Sequence, residues 1–197
     1  WCAAALQTRG AVHEEAREIG RGHAEALAPM VEALFDKANL APRAVERIGV
    51  NVGPGGFAGT RVGVAFARGL ALSTGAAALG VDNLSALARR ADPAGEHTVM
   101  AVHDARRGEV IWRVFAHGHA VSDLARGGPQ DALDVLERYG EVRLTGSGAA
   151  RLGADPDHFD PRPPLAELLV LTAEAREDGP KPAPVYARPP DAKPAAS

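Results

Sequence analysis

Residues 53–71, which read GPGGFAGTRVGVAFARGLA, carry the most information about the fold of this chain. It follows Arg47–Val52, an alternating apolar run that predicts a buried strand. The glycines let the backbone turn tightly, and the apolar residues beyond them predict a helix over Thr60–Thr74. We therefore interpret the segment as the junction between a buried strand and a helix.

The loop Gly53–Gly59 has two interpretations. A helix N-terminus carries partial positive charge and free N–H groups, so the loop could hold an anion. It lacks the Gly-Lys-Ser/Thr that ends a Walker A motif, and its spacing is not that of the dinucleotide motif GxGxxG. In the second interpretation the loop is a structural turn that buries Phe57 and begins the helix at Thr60.

Two predicted helices carry more apolar surface than one contact needs. In the helix after the loop, apolar side chains cover nearly the whole circumference, with Arg68 as the main exception. Such a helix is buried on more than one side, either by another subunit or between two parts of one chain. The earlier helix, His23–Asn39, has an apolar stripe wide enough for the core and a partner. That stripe consists of Leu27, Met30, Val31, Leu34 and Ala38.

The remaining pattern suggests two similar α/β lobes. A strand at Trp1–Leu6 and a weaker one within Ala11–Ile19 begin the first lobe. Because of Asp92 and Pro93 we place lobes at residues 1–92 and 93–179, and a Pro-rich tail at residues 180–197. The other predicted strands are Ala77–Val81, Val99–Val102, Glu109–Phe115 and Val142–Thr145, and the other helices are Asn83–Arg90, Asp131–Tyr139 and Leu165–Glu177.

Composition limits the classes of function. The net charge of the 197 residues is −3 and no Lys/Arg cluster is dense, so tRNA or DNA binding by this chain alone is not expected. The single cysteine, Cys2, cannot form an internal disulfide, which fits a cytoplasmic protein. The apolar run Val62–Leu72 is too short to cross a membrane, so no membrane association is expected.

The glycine loop and its helix are similar to the signature of the TsaB (YeaZ) family, in which GPGSFTGLRIG is followed by AKGLA. Later segments resemble further family anchors in the same order. They are Asp104–Val110 (DARRGEV), Gly146–Ala149 (GSGA), Pro184–Arg188 (PVYAR) and the pair Ala192-Lys193.

The resemblance implies two ribonuclease-H-like lobes of the actin/Hsp70-like ATPase (ASKHA) superfold. It implies a non-catalytic subunit that pairs with the catalytic TsaD protein and cooperates with the ATPase TsaE. Their joint product is N6-threonylcarbamoyladenosine at position 37 of tRNA, which the subunit would meet only through the complex. A homodimer through the same surface is also compatible with this resemblance.

The resemblance also implies which residues carry these roles. In the family, pairing uses the first two helices, which correspond here to His23–Asn39 and Thr60–Thr74. The expected motif-loop residues are Gly53, Pro54, Gly55, Gly59 and Arg61. The expected partner-interface residues are Leu27, Met30, Leu34, Val64, Ala67, Leu70 and Ala71.

The chain departs from the family pattern in two places. Family members open with a strand and Asp-Thr-Ser before the segment that matches Cys2–Leu6, and we expect that this first strand is missing here. In the loop, Gly56 and Ala58 replace a serine and a threonine, so two hydroxyl groups that could bond an anion are lost. Nucleotide binding is therefore not expected, and no cofactor is assigned.

Catalysis is not expected either. The related TsaD enzymes bind a metal through His-x-x-x-His, and the matching positions here are Asn83 and Leu87, so no metal site is assigned. His103 and Asp104 are adjacent in a predicted hairpin, where their side chains point to opposite faces. No catalytic residue is assigned. The alternative function is a glycoprotease-like, metal- or ATP-dependent hydrolase.

Overall fold

A computed structural model describes residues 1–185, and residues 186–197 lie outside the described part. Its strands are β1 (Cys2–Gln7), β2 (Val12–Arg17), β3 (Arg47–Gly53), β4 (Ala77–Asp82), β5 (Val99–Arg106), β6 (Glu109–Ala116), β7 (His119–Ala120), β8 (Ala125–Gly127) and β9 (Arg143–Thr145). Its α-helices are α1 (His23–Ala38), α2 (Phe57–Thr74), α3 (Asn83–Ala91), α4 (Pro129–Leu136) and α5 (Leu165–Glu174).

The strands form three sheets. β1 pairs antiparallel with β2, and β3 pairs parallel with β4. The third sheet has five strands in the order β7-β6-β5-β9, with β8 beside β6. Within it, β5 runs antiparallel to β6 and parallel to β9. The predicted mixed α/β class is confirmed.

One helix from each half of the chain packs against a sheet of the other half. α3 belongs to the first half, but Leu84 and Leu87 pack into one core cluster with Val99 and Phe115 of the third sheet. α5 belongs to the second half, but it packs against β3 and β1. The opposite face of the third sheet is covered by α4. The two halves therefore contribute residues to common hydrophobic cores. The lobe boundary between residues 92 and 93 stays a prediction.

Most predicted elements are confirmed, with shifts at their ends. The weak strand predicted within Ala11–Ile19 is β2, which forms a hairpin with β1. The helix predicted from Asp131 begins at Pro129, because proline suits the first position of a helix. β7 and β8 were not predicted, because two or three residues are too short for a periodic pattern.

Only the start of the predicted tail lies in the described residues. There the backbone N–H of Val185 donates to the carbonyl oxygen of Val52 at 2.8 Å, so the chain returns to the end of β3. The anchor residues Tyr186–Arg188 and Ala192-Lys193 lie outside the described part.

Glycine at position 49 allows α5 to approach β3 closely. A Cβ atom added at Gly49 would lie 1.8 Å from Oγ1 of Thr172. Thr172 is buried, and its hydroxyl group donates to the carbonyl oxygen of Leu168 one turn earlier in α5. The contact therefore leaves no room for any side chain at position 49.

We expect Gly49→Ala to lower the free energy of unfolding by about 3 kcal/mol, because α5 must move away from β3. The matched control is Gly69→Ala in α2, where an added Cβ meets nothing within 4 Å. There we expect a gain of about 0.5–1 kcal/mol, because alanine favours the helix over glycine. Urea denaturation measures both. Equal effects of the two substitutions would contradict the assigned packing of α5.

Candidate interaction site at the glycine loop and second helix

The loop before α2 is held by a short chain of amide hydrogen bonds. Oδ1 of Asn51 accepts from the backbone N–H of Gly53 at 2.8 Å, and Nδ2 of Asn51 donates to Oδ1 of Asn83 at 3.0 Å. Nδ2 of Asn83 donates to the carbonyl oxygen of Pro54 at 3.3 Å. The end of β3, the loop and the start of α3 are thereby tied together.

Helix α2 begins at Phe57, and the structural-turn interpretation was wrong about this residue. Phe57 is 62% exposed instead of buried, and the helix starts there instead of at Thr60. The guanidinium carbon of Arg61, one turn later, lies 5.1 Å from the centre of the Phe57 ring, within range of a cation–π contact. Both side chains therefore lie on the outer side of the helix.

The two faces of α2 differ sharply in composition. Val64 and Ala67 are buried, and the Cβ position of Gly63 faces a methyl group of Val50 in β3. The exposed face combines small or apolar residues with two arginines. It consists of Arg61, Ala65, Arg68, Gly69 and Leu72, and we refer to these residues as the α2 outer face.

The predicted interface residues divide between the two sides. Met30, Leu34, Val64 and Ala67 are only 1% to 4% exposed, so they belong to the core of this chain and another chain would not reach them directly. Leu27, Leu70 and Ala71 are half-buried. Sequence reasoning missed Ala65, Gly69 and Leu72, because a helix that is apolar all round does not show which face points outward.

The predicted motif residues also differ in how deeply they are buried. Gly53 and Pro54 are buried under the amide chain, whereas Gly55 and Arg61 are exposed. Gly59 lies where α2 crosses α1, and its Cβ position would be 3.5 Å from the ring of His23. No side chain caps the start of α2 at Gly56, and the anion interpretation of the loop stays a prediction.

The two positions that match the TsaD metal ligands have structural contacts instead. Asn83 holds the loop through Pro54, and Leu87 is 4% exposed within a core cluster. Within residues 1–185, no group of three or more His, Cys, Asp or Glu side chains is arranged to hold a metal ion. Over the same residues, no helix is both long enough and apolar enough to cross a membrane.

A second polar cluster lies at the carboxyl ends of β5 and β9, and sequence reasoning missed it. Nδ1 of His103 lies 3.3 Å from Oγ of Ser147, and that hydroxyl oxygen also accepts from the backbone N–H of Asp104 at 3.1 Å. Asp104 pairs with Arg151 at 3.0 Å. The parallel pairing of β5 with β9 brings these residues together. The two sequence motifs, taken separately, do not indicate that pairing.

Burial lowers the pKa of His103 below its ordinary value of 6.5, because the charged imidazolium is poorly solvated there. The unfolded chain therefore takes up a proton on His103 before the folded chain does. We expect wild-type protein to lose stability as the pH falls through 6.5, relative to a His103→Asn variant. Urea unfolding of both proteins between pH 8 and pH 5 measures the difference, and a constant or growing advantage of wild type at low pH would contradict it.

The chain is similar to known proteins in both sequence and structure. A family model described as "TsaD: tRNA N6-adenosine threonylcarbamoyltransferase" matches residues 7–160. The "tRNA threonylcarbamoyladenosine biosynthesis protein TsaB" of Escherichia coli is 33% identical over 115 residues, which is 58% of this chain and 50% of that protein. An uncharacterized protein of Mycobacterium tuberculosis is 35% identical over 187 residues, covering 89% of this chain and 80% of that protein.

Solved structures show the same architecture over nearly the whole chain. A Pseudomonas aeruginosa protein, described as uncharacterized with similarity to peptidase YEAZ, superposes with a TM-score of 0.75 and 30% identity. The superposition covers 95% of this chain and 94% of that one. The fold and its glycine loop thus define an α/β protein of the YeaZ architecture. The chain, which the TsaD family model also matches, belongs to the TsaB (YeaZ) family.

Proposed function

We propose that this chain is a non-catalytic scaffold or activator subunit in the synthesis of N6-threonylcarbamoyladenosine at position 37 of tRNA. It pairs with a TsaD-like catalytic subunit and cooperates with a TsaE-like ATPase in the cytoplasm. The name of the E. coli relative supports a role in this process, although the chain spans only 50% of that protein. The observation that carries the scaffold role is the α2 outer face.

The α2 outer face has the shape and chemistry of a helix-docking surface. Leu72 is 89% exposed, and an added Cβ at Gly69 meets nothing within 4 Å. Small residues such as Ala65 and Gly69 let a partner helix approach closely, while a leucine provides apolar area to bury. Arg61 and Arg68 favour acidic residues on the partner surface.

The internal similarity of the two halves supports two ribonuclease-H-like lobes of the ASKHA superfold. In each half an antiparallel hairpin comes first and a parallel pairing follows, as in β1-β2 with β3-β4 and in β5-β6 with β5-β9. Two such lobes would place α2 on the outside of the first lobe. The net charge of −3 supports contact with tRNA through the complex, instead of by this chain alone.

We expect Leu72→Glu to weaken complex formation with the cognate TsaD-like protein strongly while the chain stays folded. A carboxylate at this position is solvated in the free chain but must lose its hydration against an apolar partner surface. We expect the dissociation constant to rise at least about 100-fold, which corresponds to about 2.7 kcal/mol. Isothermal titration calorimetry with the purified partner measures it.

Two variants control this experiment. Val121→Glu places the same charge at a residue that is 47% exposed and lies outside α2, and it should bind normally. Val64→Glu introduces a charge at a residue that is 3% exposed, and it should unfold the chain. Normal binding by a folded Leu72→Glu chain would remove the α2 outer face from the interface. The same variant, examined by sedimentation, tests whether a homodimer uses this surface.

A hydrolase is the second candidate function, and the contact between His103 and Ser147 favours it. A neutral imidazole beside a serine hydroxyl group is an arrangement that can activate a nucleophile. Purified wild-type chain and a Ser147→Ala variant should be assayed alone with ATP and with peptides. Turnover that disappears in the variant would support the hydrolase, and the scaffold proposal expects no turnover by either protein.

A further inference from the structure

Asp82 lies at the junction between the end of β4 and the start of α3. It pairs with Gly53 in the parallel ladder of β3 and β4, after a shift of register that follows Asn51. Its Oδ1 atom accepts from the backbone N–H groups of Leu84 and Ser85, at 2.8 Å and 3.0 Å, and so caps α3. The orientation of this carboxylate therefore fixes the start of α3 beside the glycine loop.

The other oxygen of the carboxylate is held from the second half of the chain. Nη1 of Arg113, in β6, donates to Oδ2 of Asp82 at 3.2 Å. The hydroxyl group of Ser85 donates to the same oxygen. The side chains of Arg113 and Asp82 are only 26% and 22% exposed, so the ion pair is partly shielded from water and salt. The pair joins the third sheet to the end of β4.

The surroundings of Arg113 are unusual for a charged residue. Ile111 and Phe115, two positions away on either side along β6, belong to the buried cluster beneath α3. The Nε atom of Arg113 is buried and has no hydrogen-bond partner among residues 1–185. Burying a charged group at such a position costs free energy that an apolar side chain would avoid. Stability alone therefore does not explain an arginine at position 113.

The start of α3 leads in turn to the loop that precedes α2. Asn83, directly after Asp82, is the first residue of α3. Its Oδ1 accepts from Nδ2 of Asn51, and its Nδ2 donates to the carbonyl oxygen of Pro54. Asn51 also accepts from the backbone N–H of Gly53. A continuous series of polar contacts thus runs from β6, through the first turn of α3, to the glycine loop.

We propose that Arg113 is a positioning residue for the α2 outer face. By holding Asp82 it fixes the first turn of α3, and Asn83 in that turn fixes the glycine loop from which α2 begins. The second half of the chain thereby controls how α2 is presented to a partner, although Arg113 is not part of the α2 outer face. The role in docking rests on the proposed function, whereas the effect of Arg113 on the loop does not.

Three variants separate the ion pair from the helix cap. Arg113→Met removes the charge but keeps a long side chain. Asp82→Asn weakens the ion pair and keeps the cap, because asparagine caps helices as well as aspartate does. Arg113→Lys retains the positive charge and is the rescue variant. Arg126→Met is the matched control, because Arg126 forms a separate ion pair with Glu109 in the same sheet and its side chain is 24% exposed.

Hydrogen exchange in the free chain is the first measurement. We expect Arg113→Met and Asp82→Asn each to speed exchange at the backbone amide of Gly53 about fivefold, while amides in β5 stay unchanged. The double variant should exchange no faster than either single variant, because both substitutions remove the same ion pair. Arg113→Lys and Arg126→Met should exchange as the wild-type chain does.

Two results of this measurement would overturn the proposal. One is unchanged exchange at Gly53 in a folded Arg113→Met chain. The other is equal acceleration at Gly53 and throughout β5, because that pattern indicates a general loss of stability. If Arg113→Met does not fold, the Asp82→Asn chain decides the same question.

Calorimetric titration with the purified TsaD-like partner is the second measurement. We expect the dissociation constant to rise about fivefold for Arg113→Met and to return to the wild-type value for Arg113→Lys. Unchanged affinity would overturn the docking role if exchange at Gly53 is accelerated and Leu72→Glu binds weakly. If the wild-type chain does not bind the partner at all, the proposed function fails, and exchange at Gly53 alone decides whether Arg113 positions the loop.

Discussion

The amide of Asn51 holds the turn between β3 and α2 in one conformation, and the direction of α2 follows from it. Asn51 bonds the backbone of Gly53 and the side chain of Asn83, which in turn bonds Pro54. With the loop fixed, Val64 and Ala67 face the core, while Leu72 and Gly69 face outward. The candidate docking surface thus depends on three side-chain amide hydrogen bonds at the end of one strand.

Apolar surface on α1 and α2 serves two different purposes. One part covers the sheet and lines a groove between β1 and β3, where Leu34 and Ala67 lie. The other part lies around Leu72, whose side chain is 89% exposed in the described part of the chain. The amino-acid composition does not distinguish these two parts, whereas in the structure they lie on different faces of the helices. The α2 outer face, with Leu72 and two arginines, is exposed to solvent in the described structure.

The sequence allowed the α/β class, the family and nearly all the longer elements to be predicted, because each has a local pattern. Alternating Ile48 and Val50 identify a strand, and glycines at 53 and 55 identify the turn. The outward face of α2 was not predictable, since Val64 and Ala65 have the same apolar character although one is buried and the other exposed. The contact between His103 and Ser147 was not predictable either, because it depends on the pairing of β5 with β9, which are far apart in the chain. The packing of α3 and α5 against the sheets of the opposite halves is not indicated by any local sequence pattern.

We propose that this chain assists catalysis by a partner and carries out none itself. The most direct measurement is the amount of N6-threonylcarbamoyladenosine formed on tRNA by the cognate TsaD-like and TsaE-like proteins, with and without this chain. We expect the product to form only when the chain is added, and still to form when His103 and Ser147 are both replaced by alanine. Undiminished product without the chain, or product that requires His103 and Ser147, would contradict it.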